Sequence, residues 1–427
     1  MKKALFVSIV ASAYLCGGGD IQPVEPTVET PVSNKASAEF LIFSDITPKG
    51  EIRPRYEYVE ASDNGKDDAS AFTNRLMLGI QAKLFQIDGL STYIEATNVT
   101  GTGDYWDLSN DNISKKPRYQ VVADPDQTRI TQAYIDYKSN KTLIRAGRQG
   151  VNLDNQRFIG TVNWRQMPQT YDAVALNNKS IENFDLLAAY IWRVNRIFDK
   201  DSVKRLPWSD DGSYFDTSSI LLHASYTFMP ALTLTGYGYL LEDIHDTVGI
   251  AATGKVNIFS NTKLTYRAEY AQQTDPSLED FTTDKTADAS YYNIKATSNT
   301  NGLLAGVGYE VLGAGEDGNA PFTTPLATLH AHNGWADMFL STPADGLVDL
   351  SGMLGYNSKE FGVSKIIYHD FSSDKGDSNY GTEIDVLYKN KIPGIKGLSG
   401  MLKAAWYNAE DYGVDTTKFW VMLGYKF

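Results

Sequence analysis

Apolar residues fill every second position along the last stretch of the chain. In residues 418–427 (KFWVMLGYKF) the odd-numbered side chains, from Phe419 to Phe427, are all apolar or aromatic and lie on one face of a strand. A period of two predicts a β-strand. A soluble protein normally pairs or covers such a strand, whereas a bacterial outer-membrane barrel pairs its last strand with its first and turns the apolar face to lipid. The segment favours a barrel, with the bare edge strand of a soluble sandwich as the alternative.

The same pattern recurs from Lys49 onwards in about eighteen segments of strand composition. Many connections between them are short: 86–88, 139–140, 229–230, 260, 298–301, 358 and 391–396. The intervening ones are mostly long: 101–126, 150–168, 198–216, 273–287 and 314–346. Short turns on one side and long loops on the other are typical of outer-membrane barrels. The sequence therefore predicts an all-β fold, a transmembrane antiparallel β-barrel of about 18 strands spanning 49–427.

The two faces of the predicted wall can be assigned where the alternation is clean. In the first strand Arg53 and Arg55, with the neighbouring glutamates, lie opposite Ile52 and Tyr56. A charge on the lipid face near the midplane costs about 2–4 kcal/mol, so the charged face is expected to point into a wet interior. The same reading places three further arginines inward: Arg75, Arg193 and Arg267. The strand that carries Arg193 is ambiguous, because both of its faces are apolar up to that residue.

Composition agrees with a membrane protein that crosses the bilayer with strands. Hydrophobic residues make up 42% of the 427 residues, but no run after the N-terminus approaches the roughly 20 residues of a spanning helix. The 26 tyrosines suit interfacial girdles, and the 35 glycines suit tightly curved strands. The net charge of −13 argues against a nucleic-acid partner.

The N-terminus resembles a secretion signal. Lys2 and Lys3 precede a short apolar run, which predicts a signal peptide over residues 1–16. Cleavage after Ala13 and cleavage near Cys16 both fit, and lipidation of Cys16 is the minor alternative because a large residue, Leu15, precedes it. Residues 17–48 are rich in Pro, Glu and Thr and are expected to form an extended periplasmic tail.

Neither a catalytic nor a metal site is predicted. His330, His332 and Asp337 lie close together in a long loop, but their spacing is weak evidence for metal binding, and polar groups that fix the loop are the favoured interpretation. His223 and Ser225 share a strand face without a third residue to complete a triad. No enzyme activity and no cofactor are therefore expected, with a phospholipase-like barrel enzyme as the less favoured alternative.

Two long segments carry a family resemblance. Residues 145–176 read RAGRQGVNLDNQRFIGTVNWRQMPQTYDAVAL, and residues 321–346 read PFTTPLATLHAHNGWADMFLSTPADG. Both resemble the alginate-export family of outer-membrane proteins. The resemblance implies an 18-stranded monomeric barrel in the bacterial outer membrane with a basic lumen that guides an anionic uronate polysaccharide. The matching positions are four arginines: Arg145, Arg148, Arg157 and Arg165.

Two features depart from the family's polymer exporter. Glutamates point inward beside the arginines, and all predicted periplasmic turns are short. The expected function is therefore an outer-membrane channel for passive transport of small or anionic solutes, including uronates or oligosaccharides. A surface adhesin or structural barrel without an open pore is the alternative. The arginines are expected to bind solute, or to pair with Asp154, Asp172 and the inward glutamates and brace the loop. Expected partners are outer-membrane lipid, lipopolysaccharide and, through Phe427, the barrel assembly machinery.

Overall fold

The computed structural model describes residues 41–62, 64–109, 118–200, 202, 212–278 and 286–427. The strands are β1 Phe43–Ala61, β2 Ala69–Leu84, β3 Leu90–Thr102, β4 Gln127–Ser139, β5 Thr142–Gln149, β6 Thr170–Asn178, β7 Phe184–Asn195, β8 Tyr214–Met229, β9 Leu232–Leu241, β10 His245–Phe259, β11 Thr262–Thr274, β12 Ala289–Thr300, β13 Leu303–Leu312, β14 Leu347–Ser358, β15 Gly362–Ser372, β16 Asn379–Lys391, β17 Leu398–Ala409 and β18 Thr416–Lys426. Short 3-10 helices cover Glu316–Gly318 and Leu329–Ala331. The predicted signal peptide and residues 17–40 of the predicted tail lie outside the described residues.

The sheet is closed. Each strand pairs antiparallel with its chain neighbours, and β1 also pairs with β18. At the seam, Gly50 N–H donates to Phe427 O at 2.9 Å and Phe427 N–H donates to Gly50 O at 3.0 Å. A Cβ at position 50 would lie 2.3 Å from the Phe427 ring, so glycine makes room there for the last aromatic side chain. The predicted 18-stranded antiparallel barrel is confirmed, with β1 beginning six residues before Lys49.

The alternation of faces follows the prediction over most of the wall. In β18 the outward residues Phe419, Val421, Leu423 and Tyr425 are between 37% and 44% exposed, as a lipid-facing surface requires. Four charged residues in the middle of β1 point inward and are buried: Glu51, Arg53, Arg55 and Glu57. Among the described residues no helix is long and apolar enough to cross a bilayer.

Two long connections fold into the lumen and bury the inward face. We call residues 150–169, between β5 and β6, the first inner loop, and residues 313–346, between β13 and β14, the second inner loop. They are joined by backbone hydrogen bonds from Gly160 N to Leu326 O (2.8 Å) and from Thr328 N to Gln156 O (3.0 Å). Their apolar side chains pack on the inner wall, so the hydrophobic core lies inside the barrel.

The connection 103–126 also reaches inward. Val122 and Asp124 are fully buried. The described C-terminal end of this connection therefore folds into the lumen. Most of the lumen is nevertheless filled by the two inner loops, which overlap the segments that carry the family resemblance.

Candidate functional site: the constriction of the barrel

The tip of the first inner loop is fastened to β1 and β2 by arginines. Arg53 donates to Arg165 O at 2.5 Å, to Asn163 O at 2.9 Å and to the side chain of Gln166 at 3.0 Å. Arg55 donates to Trp164 O at 2.6 Å, and Arg75 donates to Asn163 Oδ1 at 2.6 Å. A loop inside a barrel cannot pair its carbonyls in a sheet, and buried backbone groups need partners. The guanidinium groups of the wall supply them.

Carboxylates balance these arginines. Arg55 pairs with Asp124 and, at 3.2 Å, with Glu57. Arg165 lies 3.1 Å from Glu57 and 3.3 Å from Asp337, and Arg75 lies 2.5 Å from Glu51. The side chains of all these groups are at most 10% exposed. A cluster of this kind fixes loop position, because removal of one partner leaves a charge uncompensated. Arg165 thus makes a pair with an inward glutamate of the kind expected for a brace of the loop. Arg53, Arg55 and Arg75 of the wall hold the same loop from the other side.

A second polar chain ties the two inner loops to the last strands. Lys403 Nζ donates to His330 Nε2 at 2.7 Å, and His330 Nδ1 lies 2.6 Å from Asp337. Burial lowers the pKa of the His330 imidazole to about 3, so the ring is neutral at pH 7 and its Nδ1–H donates to Asp337. Burial opposes ionisation of Asp337, but His330, Lys418 and Arg165 hold the pKa of its carboxyl well below the ordinary value.

Aromatic rings surround this chain. The Trp164 ring stacks on His330 with centroids 4.3 Å apart, and the Lys403 ammonium lies 4.2 Å from the Trp164 ring and 3.7 Å from the Trp335 ring. A cation over an aromatic face is stabilised by the ring quadrupole, more so when it is desolvated. His330 is bonded to Asp337 and Lys403, and among the described residues no group of three metal-ligating side chains occurs.

Three other predicted arginines face the lumen at separate places. Arg157 pairs with Glu310 at 3.0 Å beneath the second inner loop, and Arg267 pairs with Glu269 at 2.6 Å and with Asp154 at 3.4 Å. Arg145 makes a bidentate pair with Asp136, both distances being 2.7 Å, and lies 3.7 Å from the Tyr134 ring. Its side chain is 24% exposed, more than those of Arg157 and Arg267, so Arg145 meets the open lumen.

Arg148 and Arg193 do not line the pore, and that prediction is wrong. Arg148 shares a strand face with Ile144 and pairs in register with Asp172 of β6, whose neighbours Tyr171 and Ala173 point into the core. In β7 a bulge at Trp192 turns Arg193 to the same outer side. We call Arg148, Asp172, Arg193 and Asp216 the outer ladder.

The outer ladder crosses four adjacent strands on the membrane-facing side. Successive members are register partners, and Arg148–Asp172 and Arg193–Asp216 are bidentate pairs with distances of 2.5–3.1 Å. Opposite charges alternate, so the group is neutral as a whole. Pairing of this kind lowers the cost of charged groups next to lipid.

Sequence reasoning missed Lys403, Lys418, Trp164, Asp124 and the contact of His330 with Lys403. Lys403 and Lys418 could have been found, because alternation places both on the inward faces of β17 and β18. Trp164 stands beside Arg165 in the NWRQ segment, where only the arginine was considered. Asp124 had no local signal, since its role depends on a connection folding back across the wall.

Lysines line the periplasmic half of the lumen. The inward face near the periplasmic strand ends carries Lys49, Lys83, Lys138, Lys255, Lys263, Lys365, Lys389, Lys391 and Lys426. Fewer carboxylates share this region; Asp45 pairs with Lys83 at 2.6 Å and Asp136 pairs with Arg145. A solute below the inner loops therefore meets a surface that is mainly positive.

A closed 18-stranded antiparallel barrel with an apolar outer face defines a transmembrane β-barrel of the outer-membrane type, and two inner loops narrow its lumen. Similar solved structures include OccAB4 of Acinetobacter baumannii, with 16% identity, a TM-score of 0.67 and coverage of 90% of this chain and 98% of that chain. OpdK of Pseudomonas aeruginosa, solved with vanillate, has 13% identity, a TM-score of 0.68 and coverage of 91% and 100%. OccK8 (OprE) of Pseudomonas aeruginosa has 15% identity, a TM-score of 0.67 and coverage of 90% and 99%.

Residues 49–205 match the family model described as alginate export. The chain is therefore an outer-membrane β-barrel whose first part carries the alginate-export signature, as the resemblance implied, and its place is the bacterial outer membrane. The comparison with curated proteins gave no match.

Proposed function

We propose that the barrel is a passive channel for small anionic solutes, with size limited by the two inner loops. The observation that carries the proposal is the combination of a lumen narrowed by these loops with a lysine-rich wall on their periplasmic side. Selectivity in wide barrels comes from constrictions and from charged side chains that line the path. OpdK, which shares the fold, was solved with vanillate, an aromatic carboxylate, and this supports an anionic solute for the present chain.

In this proposal the arginines that hold the tip of the first inner loop do not bind solute. Arg53, Arg55 and Arg75 are at most 6% exposed and are bound to loop carbonyls and carboxylates. They shape the pore by holding the first inner loop. The groups that attract solute are Arg145, which meets the lumen, and the lysines below the loops. No covalent chemistry is part of the proposed function.

Reversal potentials in planar bilayers test the proposal. In a KCl gradient the Lys365→Gln/Lys389→Gln double variant is expected to lose anion over cation permeability, because both lysines lie on the lumen face of adjacent strands. The effect is expected to be larger at low salt, where charges are less screened. The Lys359→Gln/Lys396→Gln variant is a matched control, since both of these lysines lie outside the strands in exposed turns.

Three results would contradict the proposal. Equal permeability ratios in the lumen and control variants would exclude the lysine wall as the selective element. Complete absence of current steps from correctly folded protein would instead support a sealed structural or adhesive barrel, and release of fatty acid from phospholipid would support an enzyme.

We further propose that the barrel works as a monomer, contacts lipopolysaccharide through its outer surface and is recognised by the barrel assembly machinery through Phe427. The exposed aromatic end of β18, where Phe427 and Tyr425 stack with centroids 5.7 Å apart, supports the last point. Cross-linking of Phe427→Ala protein in the assembling cell is expected to show reduced contact with the machinery.

A further inference from the structure

The lysine-lined half of the lumen carries more positive charge than its own wall balances. Lys365 on β15 and Lys389 on β16 lie two register positions apart, and Lys255 on β10 and Lys263 on β11 are related in the same way. Among the described residues no carboxylate forms an ion pair with four lysines of this surface: Lys138, Lys263, Lys365 and Lys391. Grouped like charges that face water favour an anionic partner.

The chain that precedes the barrel has the opposite charge. Residues 17–40, which we call the acidic tail, contain four carboxylates and one lysine, Lys35; the carboxylates belong to Asp20, Glu25, Glu29 and Glu39. Prolines at positions 23, 26 and 31 alternate with the acids. A segment of this composition has no core of its own to form and suits binding in an extended form along a charged surface.

The acidic tail joins the barrel at the rim of the lysine-lined half. Phe85 N–H donates to Ile42 O at 2.9 Å, which holds the entry to β1 against the first periplasmic turn. The register of β1 shifts around Asp45, whose φ is +50, and the Asp45 carboxylate lies 2.6 Å from the Lys83 ammonium. The first described acid of the chain is thus already bound to a lysine of the lumen.

The acidic tail is long enough to reach lysines on every side of the lumen. Strands about 4.8 Å apart and tilted by about 40° make a closed 18-stranded sheet roughly 36 Å across. A proline-rich chain extends about 3.1 Å per residue, which takes Glu29 about 37 Å and Glu25 about 50 Å from Leu41. Both acids therefore span the distance to β10 and β11, which lie opposite β1 in the closed order of strands.

We propose that the acidic tail docks on the lumen lysines and forms a tethered plug below the inner loops, which anionic solutes displace. Glu25 and Glu29 pair with lysines such as Lys263 and Lys365. Each exposed ion pair is weak, but the tether holds the carboxylates at an effective concentration in the millimolar range. The inference rests on the proposed channel function, because it adds regulation to the wall that attracts the solute.

Planar-bilayer recording of the full chain tests the docking. At about 10 mM salt, where the Debye length is about 30 Å, Glu25→Gln/Glu29→Gln is expected to raise the conductance about twofold and to increase the preference for anions. At 1 M salt, where the Debye length is about 3 Å, the difference from the parent is expected to vanish. Glu182→Gln/Glu360→Gln is the matched control, since it removes two acids from exposed periplasmic turns outside the tail, and it is expected to match the parent.

Cross-linking measures the docking without any current. On a Cys16→Ser background, Val28→Cys/Val363→Cys places one thiol beside Glu29 and the other on the lumen face, two residues from Lys365. Mild oxidation is expected to join the two thiols. Addition of Glu25→Gln/Glu29→Gln is expected to lower the yield about threefold at low salt, where the charges are least screened.

The two readouts separate the docking from the channel function. Equal conductance of the tail variant and the parent at low salt, an equal effect in the control, or a cross-linking yield that charge removal does not lower would overturn the docking and leave the anion channel intact. Charge-dependent cross-linking in a barrel that passes no current would instead overturn the channel function and leave the docking intact.

Discussion

Acidification is expected to release the second inner loop. His330 is buried between Lys403, Trp164 and Asp337, and burial lowers its pKa to about 3. His332, in the same loop, is also buried, and burial together with Arg157 holds its pKa well below the ordinary value. A loop lifted from the wall exposes both rings to water, where histidine titrates near pH 6.5.

The sign and size of the effect follow from linkage. A histidine whose pKa is lowered in the docked state favours docking fully above about pH 6.5, and this contribution is lost as the pH falls. At pH 5 the released loop binds a proton at His330 and the docked loop does not. The difference of about 1.5 pH units corresponds to roughly 2 kcal/mol, or about a thirtyfold shift in the docking equilibrium. His332 acts in the same direction, and Asp337, whose pKa is lowered, keeps its contribution at pH 5.

Single-channel recording at pH 7.5 and pH 5.0 measures the effect of pH on docking of the second inner loop. We expect larger or more frequent current steps at pH 5.0 in the parent protein. A His330→Gln/His332→Gln variant keeps polar side chains that do not titrate and is expected to show the same gating at both values. The control is His223→Gln, which changes a lumen histidine that contacts the first inner loop through Asp154 at 3.2 Å. An unchanged pH response in the double variant would refute the reasoning.

Three further predictions concern residues of the barrel strands. The Arg148→Gln/Arg193→Gln variant is expected to keep the parent's reversal potential, because both residues lie on the outer surface; a changed ion preference would mean that the face assignment is wrong. Arg55→Leu is expected to lower the free energy of unfolding by about 3–5 kcal/mol, measured by urea titration in lipid vesicles, because two buried carboxylates lose their counter-charge. Gly50→Val is expected to reduce the fraction of heat-modifiable folded barrel on gels, because the new side chain collides with the Phe427 ring, and a normal folded fraction would show that the seam adapts.

Strand number and most of the facing could be predicted because they depend on local alternation. Phe419 and Tyr425, for example, indicate the outward face of β18 from the local pattern alone. The face of Arg193 could not be assigned in this way, because the bulge at Trp192 shifts the alternation of its strand by one residue. The sequence of the strand does not indicate this bulge. Arg148 was assigned by its motif, although Ile144 in the same strand already indicated the outer face.

The constriction was less predictable than the wall. The inner loops overlap the two segments of unusual composition, so their importance was visible, but their contacts join residues far apart in the chain. Gln166, for example, lies between Arg53 and Thr73 only because the loop turns inward. Such contacts depend on closure of the whole barrel, which no local pattern encodes.

The outer ladder has a consequence for the surrounding bilayer. On β5 the outward apolar positions below Arg148 are few, because the strand has only eight residues, whereas β8, with 16 residues, carries a longer apolar series below Asp216. The outward apolar series between the outer ladder and the periplasmic strand ends is therefore shorter on β5 than on β8. A membrane of uniform thickness is mismatched on the short sector, and it responds by thinning there or by tilting the barrel, at a cost of fractions of a kcal/mol per Å. The pore axis is thus expected to lean from the membrane normal in the direction set by β5 and β6, and lipids with short acyl chains are expected to collect along that side.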